Sequence, residues 1–301
     1  MQSIKAIKQR RGVVMNMKQA MKAMNLVATA KLRKSRERWS NTLPFLEGTD
    51  SIMLTAASNP KTADNIYVKQ RDTRNITTGY IVFSSDRGKC GSYNINIGKA
   101  VINHANAYAK RAVLLPVGAR GVEFFLSQSQ NIYRQLGAMP ENPTFEHANE
   151  IGCAVLKDFT INAKDEPTNQ NRIDELYIAY TKFNSILNLE PTIEPVLPIG
   201  LRLNDDTTNN KLINQTNEME YDPDVDGFLG YLAPLYLNVK IYGAMLESVL
   251  CEQAARMVAT DTATNNAQEL IEDLTLLFNR QRQGIITQEI TEIVSGASAL
   301  T

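Results

Sequence analysis

Histidine is nearly missing: His104 and His147 are the only two in 301 residues, so a histidine-built metal site or catalytic dyad is not expected. Cysteine is scarce and odd in number. Cys90, Cys153 and Cys251 are far apart and form no CxxC, which excludes a disulfide framework and reads as reduced thiols in a cytosol-like compartment. No apolar run reaches the roughly 18 residues that would span a bilayer. There is no excess of either charge, with 32 Lys and Arg against 32 Asp and Glu. Neither GxGxxG nor GxxxxGKS occurs, and no acidic pair or nucleophile–base constellation stands out. Nothing in the chain asks for an active site, a metal or a cofactor.

Proline is absent after Pro234, and that absence marks the stretch around which the chain is organised. From Pro234 to Ser298 only Gly243, Gly284 and Gly296 interrupt good helix formers. A single helix of this length would run roughly 90 Å, where ordinary globular helices have 10–14 residues. Apolar residues recur at 3–4 spacing through Leu229, Leu232, Tyr236, Val239, Gly243, Leu246, Leu250, Met257, Ile271, Leu274, Phe278 and Ile285. So long a stripe is a coiled-coil seam in need of a partner. Gln253, Thr260, Thr264, Ala267 and Gln281 fall on seam positions, where they are expected to weaken packing and fix register.

Residues 1–57 read as a second long helix, with Val14, Met17, Met21, Met24 and Ala28 as its apolar stripe and a kink or break expected near Leu43, ahead of Pro44. Charge is lopsided. Residues 1–40 carry eleven Lys and Arg against Glu37 alone, and residues 204–226 carry seven acids against Lys211. A basic, acid-poor start also fits a transit peptide or a nucleic-acid-binding arm. The heptad-like stripe and the lack of a small-residue cleavage site weigh against the first. The lack of interleaved aromatics, with Trp39 alone, weighs against the second.

Between the two rods the period changes. Gly79–Phe83 and Ala112–Val117 read as buried strands, Asn131–Gln135 as a possible third, Asp174–Phe183 as a strong one and Thr192–Leu197 as a further extended segment. Helices are expected at Tyr93–Lys110, Gly121–Leu126 and Phe145–Ala163. Strand–turn–helix alternation predicts a Rossmann-like α/β domain with a partly parallel sheet over residues 75–200. The turn SSDRGKCGSYN after the first strand is read as fold-forming in preference to a phosphate cradle. Residues 201–226 read as an acidic loop, and 227–301 as the C-terminal helix.

Several segments resemble the γ subunits of rotary ATP synthases. Glu247–Ala297, containing CEQAARMVA and ITQEITEIVSGA, is similar to that family's C-terminal helix. KAMNLVATAKLRKS (Lys22–Ser35) is similar to its N-terminal helix, SSDRGKCGSYN to its middle-domain signature, and YDPD at Tyr221–Asp224 to the segment before the last helix. The chain departs from the family at Lys18-Gln19-Ala20-Met21 and at Lys89, a position more often apolar, and it lacks the cysteine pair of light-regulated relatives.

The resemblance implies a Rossmann-like α/β middle domain plus a long antiparallel coiled coil formed by the N- and C-terminal helices. It implies a central rotor shaft inside an α3β3 hexamer, coupling ion-driven turning of a c ring to the αβ catalytic sites, with no catalysis of its own. Met24, Lys18, Lys22, Lys31, Arg33, Arg282, Gln283, Thr287 and Gln288 would contact β subunits. Ile285, Ile286, Ile290, Ile293 and Val294 would ride in an apolar collar. Asp205, Asp206, Tyr221 and Asp222 would lie at the foot near the ε subunit and the c ring. The partners implied exclude nucleic acid and reach the membrane only through the c ring, at the cytoplasmic face of a bacterial membrane or the matrix face in an organelle. Two rival readings are a coiled-coil nucleic-acid binder and a Rossmann-like ligand-binding protein.

Overall fold

The computed structural model describes residues 4–70, 76–160, 173–203, 221 and 224–298. Its elements in order are α1 (Ile4–Ala57), a 3-10 turn (Pro60–Thr62), β1 (Thr77–Phe83), α2 (Tyr93–Tyr108), β2 (Arg111–Val117), α3 (Ala119–Ser127), α4 (Phe145–Thr160), β3 (Glu175–Phe183), β4 (Leu189–Leu197), α5 (Gly200–Leu203) and α6 (Val225–Ser298). The chain divides into two compact units, Met1–Ala30 with Arg256–Thr301, and Lys31–Ala255.

The larger unit is organised on a four-stranded sheet of order β2-β1-β3-β4. β1 pairs parallel with β2 and β3, and β4 closes the other edge antiparallel to β3. Every residue of β1 is buried, as the short apolar run TTGYIVF demands of a central strand covered on both faces. Period-two alternation sorts its side chains. Tyr80 and Val82 join Ile97, Val101 and Phe125 of α2 and α3 on one face. Ile81 and Phe83 join Val155 and Phe159 of α4, Met53 of α1, and Tyr236, Leu237 and Ile241 of α6 on the other. The result is a three-layer α/β domain whose second helical layer borrows from both long helices.

That borrowing explains why α6 is not a simple two-sided helix. From Tyr236 to Ala254 nearly every residue is buried, because the sheet, α4 and α1 surround it. A helix segment buried on every side belongs inside a core, not on a seam.

Two expectations need correction. α1 does not break near Leu43; it runs through Pro44 to Ala57. Pro44 removes one backbone donor, but Pro44 and Ser40 lie on the exposed face, where the freed carbonyl stays open to solvent and costs little. α6 starts at Val225, close to the expected 227, and likewise keeps a proline, Pro234, inside it. Asn131–Gln135 is not a strand among the described residues. It meets β2 at one isolated bridge, Leu114 with Ile132, where the Tyr133 N–H donates to the Leu114 carbonyl at 3.0 Å, and Gly137 beyond it bridges Val117. Pro116 in the middle of β2 has no N–H to donate, which interrupts any ladder on that edge.

The turn after β1 is held by its own polar groups. Ser84 Oγ donates to the Val117 carbonyl at 2.8 Å and accepts the Gly121 N–H at 2.9 Å. Asp86 accepts from the Ala119 and Met139 N–H groups at 2.8 and 3.0 Å. Asn94 accepts the Ser85 N–H at 2.9 Å. Gly118 is required beside it: φ is +94°, and a Cβ would stand 2.3 Å from the Ser84 carbonyl oxygen. These bonds bind β1 to α3, which is the work of a fold-forming turn.

Candidate functional site

The smaller unit is a pair of antiparallel helix segments, and its register can be read from three polar bonds. Arg11 Nη1 approaches Thr275 Oγ1 at 3.5 Å, Lys18 Nζ donates to Gln268 Oε1 at 2.5 Å, and Asn25 Nδ2 donates to the Met257 carbonyl at 2.9 Å. As one chain ascends the other descends. Ile7, Val14 and Ala28 are buried at the same heptad phase as half-buried Met21, and Ile7 and Val14 pack with Ala267, Leu274 and Phe278.

This phase differs from the one expected. Met17 is 49% exposed and lies off the seam, while the second seam row is Arg11, Lys18 and Asn25. The expected polar positions of α6 also behave differently. Thr260 Oγ1 donates to the Arg256 carbonyl of its own helix at 2.7 Å, and Thr264 Oγ1 to that of Thr260 at 2.7 Å. Threonine in a helix satisfies its hydroxyl by this back-bonding, so neither of these two hydroxyls is spent on a bond across the seam. Register falls to the polar row of α1, and Lys18, a departure from the family pattern, is one of its members.

Beyond Phe278 the α6 surface opens. All residues from Arg282 to Gly296 are exposed, including Ile285, Ile286, Ile290, Ile293 and Val294. Thr287 caps the Gln283 carbonyl at 2.9 Å and Gln288 donates to Glu292 at 2.9 Å, both within the helix. Arg282, Gln283, Thr287 and Gln288 therefore share one uncovered segment with the apolar group. Met24 is half-buried, and Lys22 and Arg33 are exposed with no carboxylate partner among the described residues. In the larger unit Lys31 bonds Glu141 at 2.7 Å. Tyr221 packs on Phe228, while Asp205, Asp206 and Asp222 lie outside the described residues.

In the larger unit a charged brace escaped sequence reading. Asp50 of α1 accepts from Arg202 of α5 (Nη2 to Oδ2, 3.0 Å) and from the Tyr236 hydroxyl of α6 at 3.1 Å. Lys240 Nζ lies 3.3 Å from both Asp50 and Glu194 of β4, and Tyr180 of β3 donates to Glu194 at 2.8 Å. One network thus ties α1, α5, α6 and the sheet edge. No local signal announces it, since its members are up to 190 positions apart in the chain. Burial pushes the Asp50 carboxyl up, but the Arg202 bond and the Lys240 and Arg202 charges outweigh it and hold the group at about 2.

Glu247, beside the brace, goes the other way. Burial raises it from 4.5 to about 7 against the opposing Phe183 N–H bond, with the Glu194 charge adding to the rise. Between those values the folded chain holds a proton that the unfolded chain releases, so stability falls as pH rises from about 4.5 to about 7. The loss is on the order of 3 kcal/mol. Urea denaturation across that window is expected to show this downward slope, and Glu247→Gln to flatten it.

Fold and surface together define a class: a chain whose terminal helices pair antiparallel in one unit, with residues 282–296 exposed, and whose other unit is an α/β domain. The family model described as ATP synthase matches residues 3–300. The sodium-ion-specific ATP synthase gamma chain of Acetobacterium woodii is 35% identical, with 99% of each chain covered. The ATP synthase gamma chain of Staphylococcus epidermidis is 34% identical over the whole of both. Among solved structures, a chain of the Euglena gracilis mitochondrial ATP synthase (OSCP/F1/c-ring) superposes with a TM-score of 0.66 at 18% identity, covering 99% of this chain and 94% of that one. A chain from the Tetrahymena thermophila mitochondrial ATP synthase central stalk and c ring gives 0.59 at 24%, covering 81% and 99%. The chain belongs to the ATP synthase gamma chain family.

Proposed function

We propose that this chain is the central shaft of an F-type ATP synthase, transmitting rotation between an ion-driven c ring and the catalytic sites of an α3β3 hexamer. The observation that carries the reading is the uncovered tip of α6, whose Arg282, Gln283, Thr287 and Gln288 and adjoining isoleucines are presented to other chains. Residues 1–57 and 227–301 serve as the shaft, 75–200 as the α/β foot that meets ε and the c ring, and 201–226 as an acidic loop. Both rival readings, nucleic-acid binder and ligand-binding protein, give way to the family assignment.

The mechanism needs no chemistry from the shaft. Three identical β subunits around an asymmetric rod meet different faces of it, so each is held in a different state by differential contact energy. Moving one site from 1:99 to 99:1 takes about 5.5 kcal/mol. Lys22 and Arg33 offer unneutralised charge to acidic β loops, and the apolar tip residues make contacts without directional bonds that re-form at each angle. No helix among the described residues is long and apolar enough to cross a membrane. Membrane attachment in this reading is peripheral, through the c ring, at the cytoplasmic face of a bacterial membrane.

Co-expression with α and β tests the assembly. The expected product holds one copy of this chain per α3β3, with trypsin cleavage at exposed Arg282 rapid in the free chain and suppressed in the complex. Equal cleavage in both states would overturn the placement of the tip.

A further inference from the structure

A cleft of about 390 Å³ lies in the larger unit, walled by α1 around Trp39 and Leu43, by β3 and β4, and by α6 around Gly243 and Glu247. Gly243 sets its width: a Cβ there would come within 2.9 Å of Leu46, so the glycine lets α1 and α6 close one end. The volume suits a small organic molecule, and the cleft sets an apolar wall of Trp39, Leu43, Leu46 and Val239 against a cluster of charged side chains. We propose that this cleft binds a small amphiphilic organic cation, an aromatic or aliphatic body bearing one ammonium or amidinium group, with Glu247 as its counter-charge and Trp39 against its face.

Three observations support the assignment. Glu247 is only 4% exposed, yet one of its oxygens is open to a ligand: Oε1 accepts the Phe183 N–H at 2.8 Å, and Oε2 has no hydrogen-bond donor among the described residues. Secondly, charges in the cleft do not balance. Asp50, Glu194, Glu47 and Glu247 stand against Lys182, Lys240 and the adjoining Arg202, and the brace already commits Lys240 and Arg202 to Asp50 and Glu194. Exposed Lys182 remains opposite two carboxylates, leaving the equivalent of one negative charge for a ligand to neutralise. Thirdly, Trp39 is half-buried in the wall, and an indole face is the best aromatic partner for a cation.

The pH behaviour follows from what surrounds Glu247: Lys182 and Tyr180 from β3, Glu194 from β4, Asp50 and Glu47 from α1, and Lys240 and Cys251 from α6 itself. Burial holds the Glu247 proton to about 7, so the carboxylate form that a cation needs is gained as pH rises through that value. Cation affinity should therefore drop by about ten-fold for each pH unit below about 7.

Trp39 is the sole tryptophan of the chain and reports on the cleft directly. Naphthamidine titrated into the purified full-length chain at pH 8 is expected to quench it saturably. The neutral isostere naphthamide should bind at least ten-fold more weakly. Glu247→Gln keeps the acceptor for the Phe183 N–H and so the fold, checked by circular dichroism, and should abolish the preference for the cation and its pH dependence. Trp39→Phe, followed by calorimetry, should weaken binding without removing the preference. Equal binding of the two probes, no saturable binding, or an undiminished preference in folded Glu247→Gln would overturn the proposal. So would calorimetric binding that is present in the free chain and lost in its complex with the other subunits, because the cleft would then belong to a partner's side chain.

Discussion

Replacing Asp50 with alanine is expected to destabilise the α/β unit by about 3–5 kcal/mol, among the largest single-residue effects this chain allows. The residue sits where α1, α5 and α6 meet, with Arg202, Tyr236 and Lys240 all directed at its carboxylate. Truncation leaves Arg202 and Lys240 as partly buried cations without their main counter-charge, and such uncompensated charge costs more than the pair itself contributes. Asp50→Asn keeps an acceptor and should fall between. The same site predicts acid sensitivity. Because the folded group is held near 2 against an ordinary 3.8, its stabilisation is present above pH 4 and is lost as pH falls from about 4 to about 2. Thermal melts of the wild type and both variants check this, and a shift below about 1 kcal/mol for Asp50→Ala would show the brace to be idle.

Reversing Lys22 and Arg33 to glutamate is expected to uncouple the assembled complex by roughly ten-fold, measured as ions pumped per ATP hydrolysed in membrane vesicles. Both side chains are exposed and carry no carboxylate partner among the described residues, so their charge is available to neighbours. Lys18 and Lys31 make a sharper comparison. Lys18→Glu removes a cross-helix bond to Gln268, and Lys31→Glu repels its present partner Glu141; both variants therefore lose rod or domain stability as well as coupling. An unchanged pumping ratio in the Lys22/Arg33 double variant, with the complex intact, would remove the basic face from the mechanism.

Much of this architecture is legible in the sequence because it rests on short-range physics. The absence of proline after Pro234, the strand run Thr77–Phe83 and the alternation of strand with helix all act locally, and the observed elements fall within a few residues of them. What was hidden depends on tertiary context. Pro44 stays inside a helix because it faces water. Met17 turns outward because the seam takes Arg11, Lys18 and Asn25 instead, and a hydrophobicity pattern cannot foresee polar residues that pair across an interface. The Asp50 brace joins groups from four elements. The tip residues Arg282, Gln283, Thr287 and Gln288 were identified by resemblance to the family, since exposure on a bare helix end leaves no periodic trace. Ile285 reads as seam by its spacing, yet it stands exposed with Ile286, Ile290, Ile293 and Val294, an apolar group left open on the helix end.

The claim beneath all of this is that the chain turns as a body inside its neighbours. Cys153 is exposed on α4 while Cys90 and Cys251 are buried, which makes it a natural point of attachment. With cysteine-free α and β subunits fixed to a surface, a bead linked to Cys153 and watched during ATP hydrolysis should rotate in one direction, in three equal stops per turn. A bead that stays still or only jitters while hydrolysis continues at the normal rate would contradict the account.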